Sequence, residues 1–360
     1  MLKQNNKLSF KDQTIYVGLD VAKKSWNVTI LVEQMFHKTF TQSPVPDVLV
    51  GYLNRNFPDA HYICAYEAGL FGFWIYDALT KLGVDCIVVH PADIPTKDKE
   101  RRNRNDDVDS NKIARNLRSG ELTPLYIPSL QAQEDRSLVR MRIIMVKKQT
   151  RTKNQLKALL TYYGMDIPDK LANSNWSKQF ISWLEDLENL DFKYNSGKQA
   201  FSALLSELKY LRSVISQLTK DIGCLSEQEP YKMPVQYLSS IPGISTTTAM
   251  VYLTEIVDIK RFKDFDHLSS YFGLIPGEDS SGDTQLHTGI SPRRNVNLRV
   301  LLIESSWIAV RKDPALLMSF NQLSKRMPKN KAIIRIARKL LNRIYYVLKN
   351  RCYYQIGVVS

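Results

Sequence analysis

The chain has 360 residues, 44% of them hydrophobic and 24% charged, so it can form two or three folded domains. The 50 lysines and arginines outnumber the 36 acids, and the net charge of +14 favours a polyanionic partner. Four scattered cysteines without a CxxC pair argue against a disulfide framework, and five histidines without metal-ligand spacing argue against a zinc site. A polar N-terminus and short apolar runs argue against a signal peptide and a membrane span, and they predict a cytoplasmic protein.

The first 130 residues predict an α/β domain. Apolar or alternating stretches predict strands over residues 14–20, 25–32, 35–41, 61–67 and 84–91, and helices over residues 46–56, 69–83 and from near Asp106 toward Gly120. Three consecutive strands followed by alternating helices and strands is the order of a ribonuclease H-like, or RuvC-like, domain. We therefore predict such a domain over residues 1–130.

The remaining chain predicts two mainly helical regions. Residues 131–228 are predicted to begin with a long basic helix, which a further helix follows. From Phe201 to Ile222, apolar residues then recur every three or four positions. That spacing is typical of a coiled coil or helical hairpin, and equally of one helix in a bundle. In residues 229–360, "SIPGIS" predicts a helix-hairpin-helix turn at Gly243 whose N–H groups could bind a phosphate. A polar loop is predicted after Pro276, followed by basic helices at the end of the chain.

The positive charge is concentrated in short segments. Residues 136–157 hold eight lysines and arginines without an acid, and residues 325–351 hold ten, again without an acid. Segments of this kind are typical of surfaces that follow nucleic-acid phosphates. The predicted nucleic-acid contacts are Arg101, Arg102, Arg104, Arg140, Lys147, Lys148, Arg151, Gly243, Arg293, Arg294 and Arg299.

Four acids form the candidate catalytic cluster. Asp20 ends the first predicted strand and Glu67 ends the fourth, and in a ribonuclease H-like sheet these strands are neighbours. Asp106 and Asp109 lie three residues apart, on one face at the start of a helix. Such a set predicts a site for Mg²⁺ or Mn²⁺ in phosphodiester chemistry. Singly, each acid has an ordinary alternative as a turn or capping residue, the role we assign to Asp107.

Five ordered motifs resemble the insertion-sequence-110 family of DEDD transposases. They are "YVGLDVAKKSWNVTI", "YEAGLFGFWIYDALTKLGVDCIVVHP", "NDDVDSNKIAR", "SIPGISTTTAMVYLTEI" and "SSGDTQLHTGIS". The resemblance implies Mg²⁺ at Asp20, Glu67, Asp106 and Asp109, a helical C-terminal transposase domain, and a serine nucleophile at Ser281, with Ser280 as the alternative. Ser110 and Asn105 depart from the third motif, whose usual residues are alanine and threonine, but the acids are kept. The "SPRRN" stretch also departs from the family, because it lacks the Lys-x-Gly that is often found there.

The resemblance also implies partners. They are double-stranded donor and target DNA, a structured guide RNA encoded by the element, and further copies of the chain in dimers and tetramers, in the bacterial cytoplasm at the nucleoid. Three functions are therefore compared: an RNA-guided DNA recombinase, a hydrolytic RuvC-like nuclease such as a junction resolvase, and a nucleic-acid-binding protein without catalytic activity. The recombinase is favoured because it gives roles to the serine loop and the hairpin motif.

Overall fold

The computed structural model describes residues 9–96, 106–172, 176–190, 192–281, 284–290 and 295–357. The chain forms two compact units, residues 1–127 and residues 128–360. The N-terminal unit is a mixed sheet with helices, and the C-terminal unit is almost entirely helical. The predicted α/β and helical regions are therefore confirmed.

Within the described residues, the N-terminal unit contains five strands and three helices of more than one turn. They are β1 (Thr14–Val21), β2 (Trp26–Val32), β3 (Met35–Gln42), α1 (Pro46–Asn56), β4 (His61–Glu67), α2 (Trp74–Lys81), β5 (Asp85–Val89) and α3 (Asp106–Arg118). The strand order is β3-β2-β1-β4-β5. The first three strands are antiparallel, whereas β1, β4 and β5 run parallel. The predicted elements are confirmed to within a few residues, except that α2 begins later than predicted because residues 69–73 form turns.

The two faces of the sheet are covered by different helices, because successive side chains of a strand point to opposite faces. Ile15, Val17 and Leu19 of β1 pack in one core with residues of α1 and α2. On the opposite face, Ala65 of β4 packs with Ile113 of α3. The even-numbered residues of β1, including Gly18, therefore face α3.

Helix α3 lies unusually close to the sheet at Gly18. A Cβ atom at this position would overlap with the backbone oxygen of Ser110 and the backbone nitrogen of Ala114. Ser110 is fully buried, and its hydroxyl lies 2.9 Å from that of Thr29, which in turn lies 2.8 Å from the hydroxyl of Thr39. Glycine on the strand and small residues on the helix thus fix the height and rotation of α3 over the sheet.

The C-terminal unit contains ten helices of at least four residues and one hairpin within the described residues. They are α4 (Leu130–Tyr162), α5 (Asp169–Ala172), α6 (Lys178–Leu190), α7 (Asn195–Ser226), α8 (Lys232–Ser239), α9 (Thr246–Ile256), α10 (Phe265–Tyr271), β6 (Pro276–Ser281), β7 (Thr284–Ile290), α11 (Val296–Lys312), α12 (Pro314–Ser324) and α13 (Lys329–Asn350). No helix in the described ranges has the length and apolar character needed to cross a membrane.

Helices α4 and α7 pack side by side in opposite directions. Leu156 and Leu160 of α4 share a core with Phe201 and Leu205 of α7, whereas Val139 lies in another core with Ile222. The apolar seam predicted from Phe201 to Ile222 is thus largely buried, although Leu205 replaces Leu204 as a fully buried member. The arrangement is a long helical pair, and its description as a coiled coil stays a prediction.

The segment after Pro276 differs from the predicted polar loop. Residues 276–281 and 284–290 pair as an antiparallel hairpin, with Ser281 opposite Thr284. Neither strand carries a run of large apolar residues, so hydrophobic periodicity could not reveal it. The pairing of the two backbones identifies this element as a β-hairpin.

Candidate catalytic site

Two of the four predicted acids lie together at one edge of the sheet. Strand β1 pairs with β4 in parallel, with Leu19 opposite Tyr66, so Asp20 and Glu67 each stand one residue beyond this pair. Leu19 and Tyr66 point into the core opposite α3. By alternation, the side chains of Asp20 and Glu67 both point to the face that α3 covers. The register therefore places these two residues side by side near the ends of their strands, and their role as metal ligands stays a prediction.

Asp109 reaches the same edge from α3, and Lys112 joins it to Glu67. The Nζ atom of Lys112 lies 2.9 Å from an Asp109 oxygen and 3.6 Å from a Glu67 oxygen. Only 10% of the Lys112 side chain is exposed, compared with about a third of each acid. A nearly buried ammonium group is therefore shared by two carboxylates of the candidate cluster.

The surroundings of Lys112 keep it charged. Burial by itself lowers the pKa of this lysine, but the hydrogen bond to Asp109 and the charges of Asp109 and Glu67 outweigh burial and raise it above its usual value. Sequence reasoning missed Lys112 because an isolated lysine in a helix usually faces solvent. Its spacing of three residues from Asp109 was the available signal, since that spacing places both on one face.

The donor set fits a divalent cation in its chemistry. Carboxylate oxygens are the ligands that Mg²⁺ prefers, and Asp20, Glu67 and Asp109 lie on one face at one edge. Within the described residues, however, no three acidic, histidine or cysteine side chains approach closely enough to form a metal site by themselves. Lys112 stands where positive charge is needed between Glu67 and Asp109. Asp106 is the first residue of α3, but its side chain lies outside the described part of the structure.

The predicted nucleophile lies in the C-terminal unit. Ser281 ends β6 and Ser280 precedes it, and their backbones pair with Thr284 and Gln285 of β7. Their side chains lie outside the described part of the structure. The hairpin begins shortly after α10 and ends shortly before α11, and these flanking segments form its frame.

A buried carboxylate anchors that frame. The side chain of Glu255 is 2% exposed and accepts hydrogen bonds at 2.6 and 2.8 Å from the guanidinium of Arg140. Asn295, which caps α11, donates a third at 3.0 Å, and the backbone oxygen of Glu255 accepts one from Tyr271. The network ties α4 and α9 to the chain on both sides of the hairpin. The hydrogen bond to Glu255, partly offset by burial, raises the pKa of Arg140.

The predicted nucleic-acid contacts fall into three groups. Arg140 is engaged by Glu255, and Arg299 donates to the backbone oxygen of Gly273 at 3.1 Å, so both also have structural roles. By contrast, Lys147, Lys148 and Arg151 are exposed on α4, although Lys147 also donates to Asn297. Outside the described residues lie Arg101, Arg102, Arg104, Arg293 and Arg294.

The glycine of the predicted hairpin motif has a packing explanation. Gly243 has φ +91°, a conformation that side chains rarely adopt, and a Cβ atom there would overlap with the backbone oxygen of Ser305 in α11. The following helix α9 is capped by Ser245, whose hydroxyl accepts from the backbone N–H of Thr248. The turn is therefore needed for the fold, and its binding of a phosphate stays a prediction.

Comparison with known proteins identifies the family. Residues 17–165 match a DEDD-type profile described as "Transposase", and residues 235–321 match one described as "Transposase IS116/IS110/IS902 family". The chain is 32% identical to y4qE of Sinorhizobium fredii, which is named as a transposase, over 68% of this chain and 58% of that protein. The aligned part thus spans little more than half of that relative.

Two other relatives are aligned over more of their length. The protein y4rJ of Sinorhizobium fredii, also named as a transposase, is 26% identical over 91% of this chain and 90% of its own. The transposase for insertion sequence element IS1111A of Coxiella burnetii is 25% identical over 78% of this chain and 76% of its own. The first profile spans Asp20, Glu67 and Asp109, and the second spans Ser281. The chain therefore belongs to the IS110 family of transposases.

Proposed function

We propose that this protein cleaves and rejoins DNA strands through a covalent link to Ser281, assisted by divalent cations at Asp20, Glu67, Asp106 and Asp109. The observation that supports this best is the placement of Asp20, Glu67 and Asp109 on one face at one edge of the sheet, where Lys112 bridges Glu67 and Asp109. Mg²⁺ or Mn²⁺ bound there would polarise the phosphate and stabilise its developing negative charge.

The covalent step conserves the energy of the strand that is cut. The Ser281 hydroxyl bonds to phosphorus while the bond from phosphorus to one bridging deoxyribose oxygen breaks. The serine proton passes, through a nearby base, to the departing oxygen. A deoxyribose hydroxyl then attacks the phosphoserine and returns the hydroxyl of Ser281. The phosphodiester is exchanged rather than hydrolysed, so rejoining needs no nucleotide cofactor.

The proposal includes partners and organisation. Double-stranded DNA and a structured RNA from the same element are the partners, which is compatible with the net charge of +14. The chain acts as a dimer or tetramer in the bacterial cytoplasm. Its parts are a RuvC-like domain (1–130), a basic helix with a coiled coil (131–228) and a transposase domain with a helix-hairpin-helix (229–360).

The test is whether DNA becomes covalently attached to the protein. Wild-type protein incubated with element DNA, Mg²⁺ and the adjoining transcript should give an adduct that survives denaturing electrophoresis. Ser281→Ala should abolish the adduct, whereas Ser280→Ala should retain it. Asp20→Ala should abolish cleavage but bind DNA with nearly unchanged affinity.

Three results would contradict parts of this proposal. An adduct that persists in Ser281→Ala would exclude that residue as the nucleophile, and its loss only in Ser280→Ala would transfer the role. Cut strands with free ends and no adduct at any time would indicate a hydrolytic nuclease instead. Full activity in protein stripped of divalent metal would remove the role of the acids.

A further inference from the structure

The end of α13 carries a pocket that the proposed reaction does not use. Its volume is about 450 Å³, within the usual range of ligand sites. Aromatic, amide and cationic side chains line it, among them Asn342, Arg343, Tyr345, Tyr346, Lys349 and Tyr354. Arg343 and Lys349 bring positive charge to the lining, and the guanidinium of Arg343 also lies 3.7 Å from the buried carboxylate of Asp313.

The inner wall of the pocket is held rigidly. The Tyr354 hydroxyl donates to the buried carboxylate of Asp313 at 2.6 Å and accepts from Nε of Arg343 at 2.8 Å. The guanidinium of Arg343 also lies 5.6 Å from the centre of the Tyr354 ring. The backbone N–H of Tyr354 donates to Ser240 at 2.8 Å, which fixes the segment after α13 against the end of α8. This wall is formed before any ligand arrives, which reduces the entropic cost of binding.

Aromatic rings and a lysine ammonium group line the exposed side of the pocket. Tyr346 is 62% exposed, so its ring is accessible to a ligand. The ammonium of Lys349 lies 3.3 Å from the Tyr345 hydroxyl and 5.2 Å from the centre of its ring. The pocket therefore offers flat aromatic surfaces beside a cation at its rim.

A line of cations leads to the pocket along the exposed face of α13. Lys331, Arg335 and Lys339 are exposed and recur every four residues, about 6 Å apart along the helix axis. Asn342 and Tyr346 follow at spacings of three and four residues, so all five lie on one face. This stripe would attract a polyanion and direct it toward the tyrosines.

We propose that this pocket binds one unpaired nucleotide of a nucleic-acid strand whose phosphates follow the cationic stripe of α13. Unpaired bases are recognised by stacking on aromatic side chains and by hydrogen bonds to their edges, and Asn342 supplies an amide for the latter. An acidic peptide would use the cations but would leave the tyrosine faces without a role. The inference rests on the proposed function only in that the chain binds nucleic acid.

The test compares binding of single strands with binding of duplexes. Labelled single-stranded RNA, single-stranded DNA and duplex DNA of equal length are titrated with wild-type protein, Tyr346→Ala and Tyr346→Phe. Tyr346→Ala should weaken binding of single strands about tenfold and change duplex binding less than about twofold. Tyr346→Phe keeps the ring and should bind like the wild type. The control is Tyr210→Ala, because Tyr210 is similarly exposed, at 67%, on α7.

The source of the nucleotide follows from the same titrations. If Tyr346→Ala loses more affinity for single-stranded RNA than for single-stranded DNA, the ligand is RNA. If it loses more affinity for single-stranded DNA, the ligand is a DNA strand. The proposal would be overturned if Tyr346→Ala lost equal affinity for single strands and duplexes, or if its binding were unchanged. It would also be overturned if polyglutamate competed with the labelled single strands as well as nucleic acid does. If the wild type bound no nucleic acid, the proposed function would fail as well. If only the variant titrations were negative, this inference alone would fail, since adduct formation at Ser281 is measured separately.

Discussion

Lys112 is the cation that holds two candidate metal ligands in contact. Its ammonium group is nearly buried, and it is paired with Asp109 and Glu67 in the region where a divalent ion would act. Removing one member of a buried charged group leaves the others with the cost of desolvation and mutual repulsion. Lys112 therefore stabilises the metal-free site and keeps its acids in position.

Replacement of Lys112 by methionine should destabilise the metal-free protein and increase its response to metal. We expect a loss of about 1–3 kcal/mol in the free energy of unfolding, because Glu67 and Asp109 would lose their shared partner. Mg²⁺ or Mn²⁺ should then raise the melting temperature of the variant more than that of the wild type, because the ion would supply the missing charge. Thermal melts with and without each ion measure both effects.

A matched variant separates this effect from the general loss of a lysine. Lys209 lies 2.7 Å from Glu185, but both side chains are nearly half exposed, so Lys209→Met should cost little and show no metal dependence. If Lys112→Met responded to Mg²⁺ no more than Lys209→Met does, Lys112 would have no relation to a metal site.

Single residues also show what sequence could and could not predict. The strand ends at Asp20 and Glu67 were predictable, because apolar strands with a terminal acid are visible in the sequence. The structural role of Arg140 was not predictable, because its partner Glu255 lies 115 residues away in the sequence. A basic helix without acids is instead typical of a nucleic-acid surface. Contacts between distant residues leave no periodic signal.

At the scale of elements, the strands of the N-terminal sheet could be predicted from the sequence, whereas the hairpin of the C-terminal unit could not. Every strand of the five-stranded sheet was predicted, because buried strands alternate or run apolar. The β6–β7 hairpin was not predicted, because neither of its strands carries a run of large apolar residues. The close approach of α3 to β1 was also hidden, since a glycine in a strand carries no indication of what covers it.

Gly18→Ala should displace α3 from the sheet. The added methyl group would overlap with backbone atoms of Ser110 and Ala114, which cannot rotate away, so the helix must move. We expect a loss of about 1–3 kcal/mol in the free energy of unfolding. Because Asp109 and Lys112 move with α3, strand cleavage should fall more steeply than stability. Urea unfolding measures the loss of stability. A cleavage assay at a temperature where the variant is folded measures the loss of strand cleavage.

Gly51→Ala is the matched control for that substitution. Gly51 lies in helix α1, and a Cβ atom there meets no other atom within 4 Å. Alanine should stabilise this helix by about 0.5–1 kcal/mol and leave cleavage unchanged. If Gly18→Ala and Gly51→Ala had the same effect on stability and on strand cleavage, the contact between Gly18 and α3 would not position the acids.

At the scale of the whole molecule, the positive charge is distributed unevenly. Lys147, Lys148 and Arg151 lie within one arc of α4 and are exposed, in a stretch that contains no acid. Along α7, by contrast, exposed lysines alternate with acids such as Glu207 and Asp221. Of these two stretches, only the one on α4 carries its cations without an acid in the same stretch of sequence.

Neutralising the α4 cations should reduce the salt dependence of DNA binding. Each phosphate contact contributes about 0.9 to the slope of log K against log salt concentration, so replacing Lys147, Lys148 and Arg151 by glutamine should reduce the slope by about 2–3. The control replaces Lys193, Lys209 and Lys220, which removes the same total charge from a region that also carries acids. Its slope should stay within experimental error of the wild type, as measured by fluorescence anisotropy across a salt series. Equal reductions in both triple variants would mean that DNA responds to total charge, and that this face of α4 makes no direct phosphate contact.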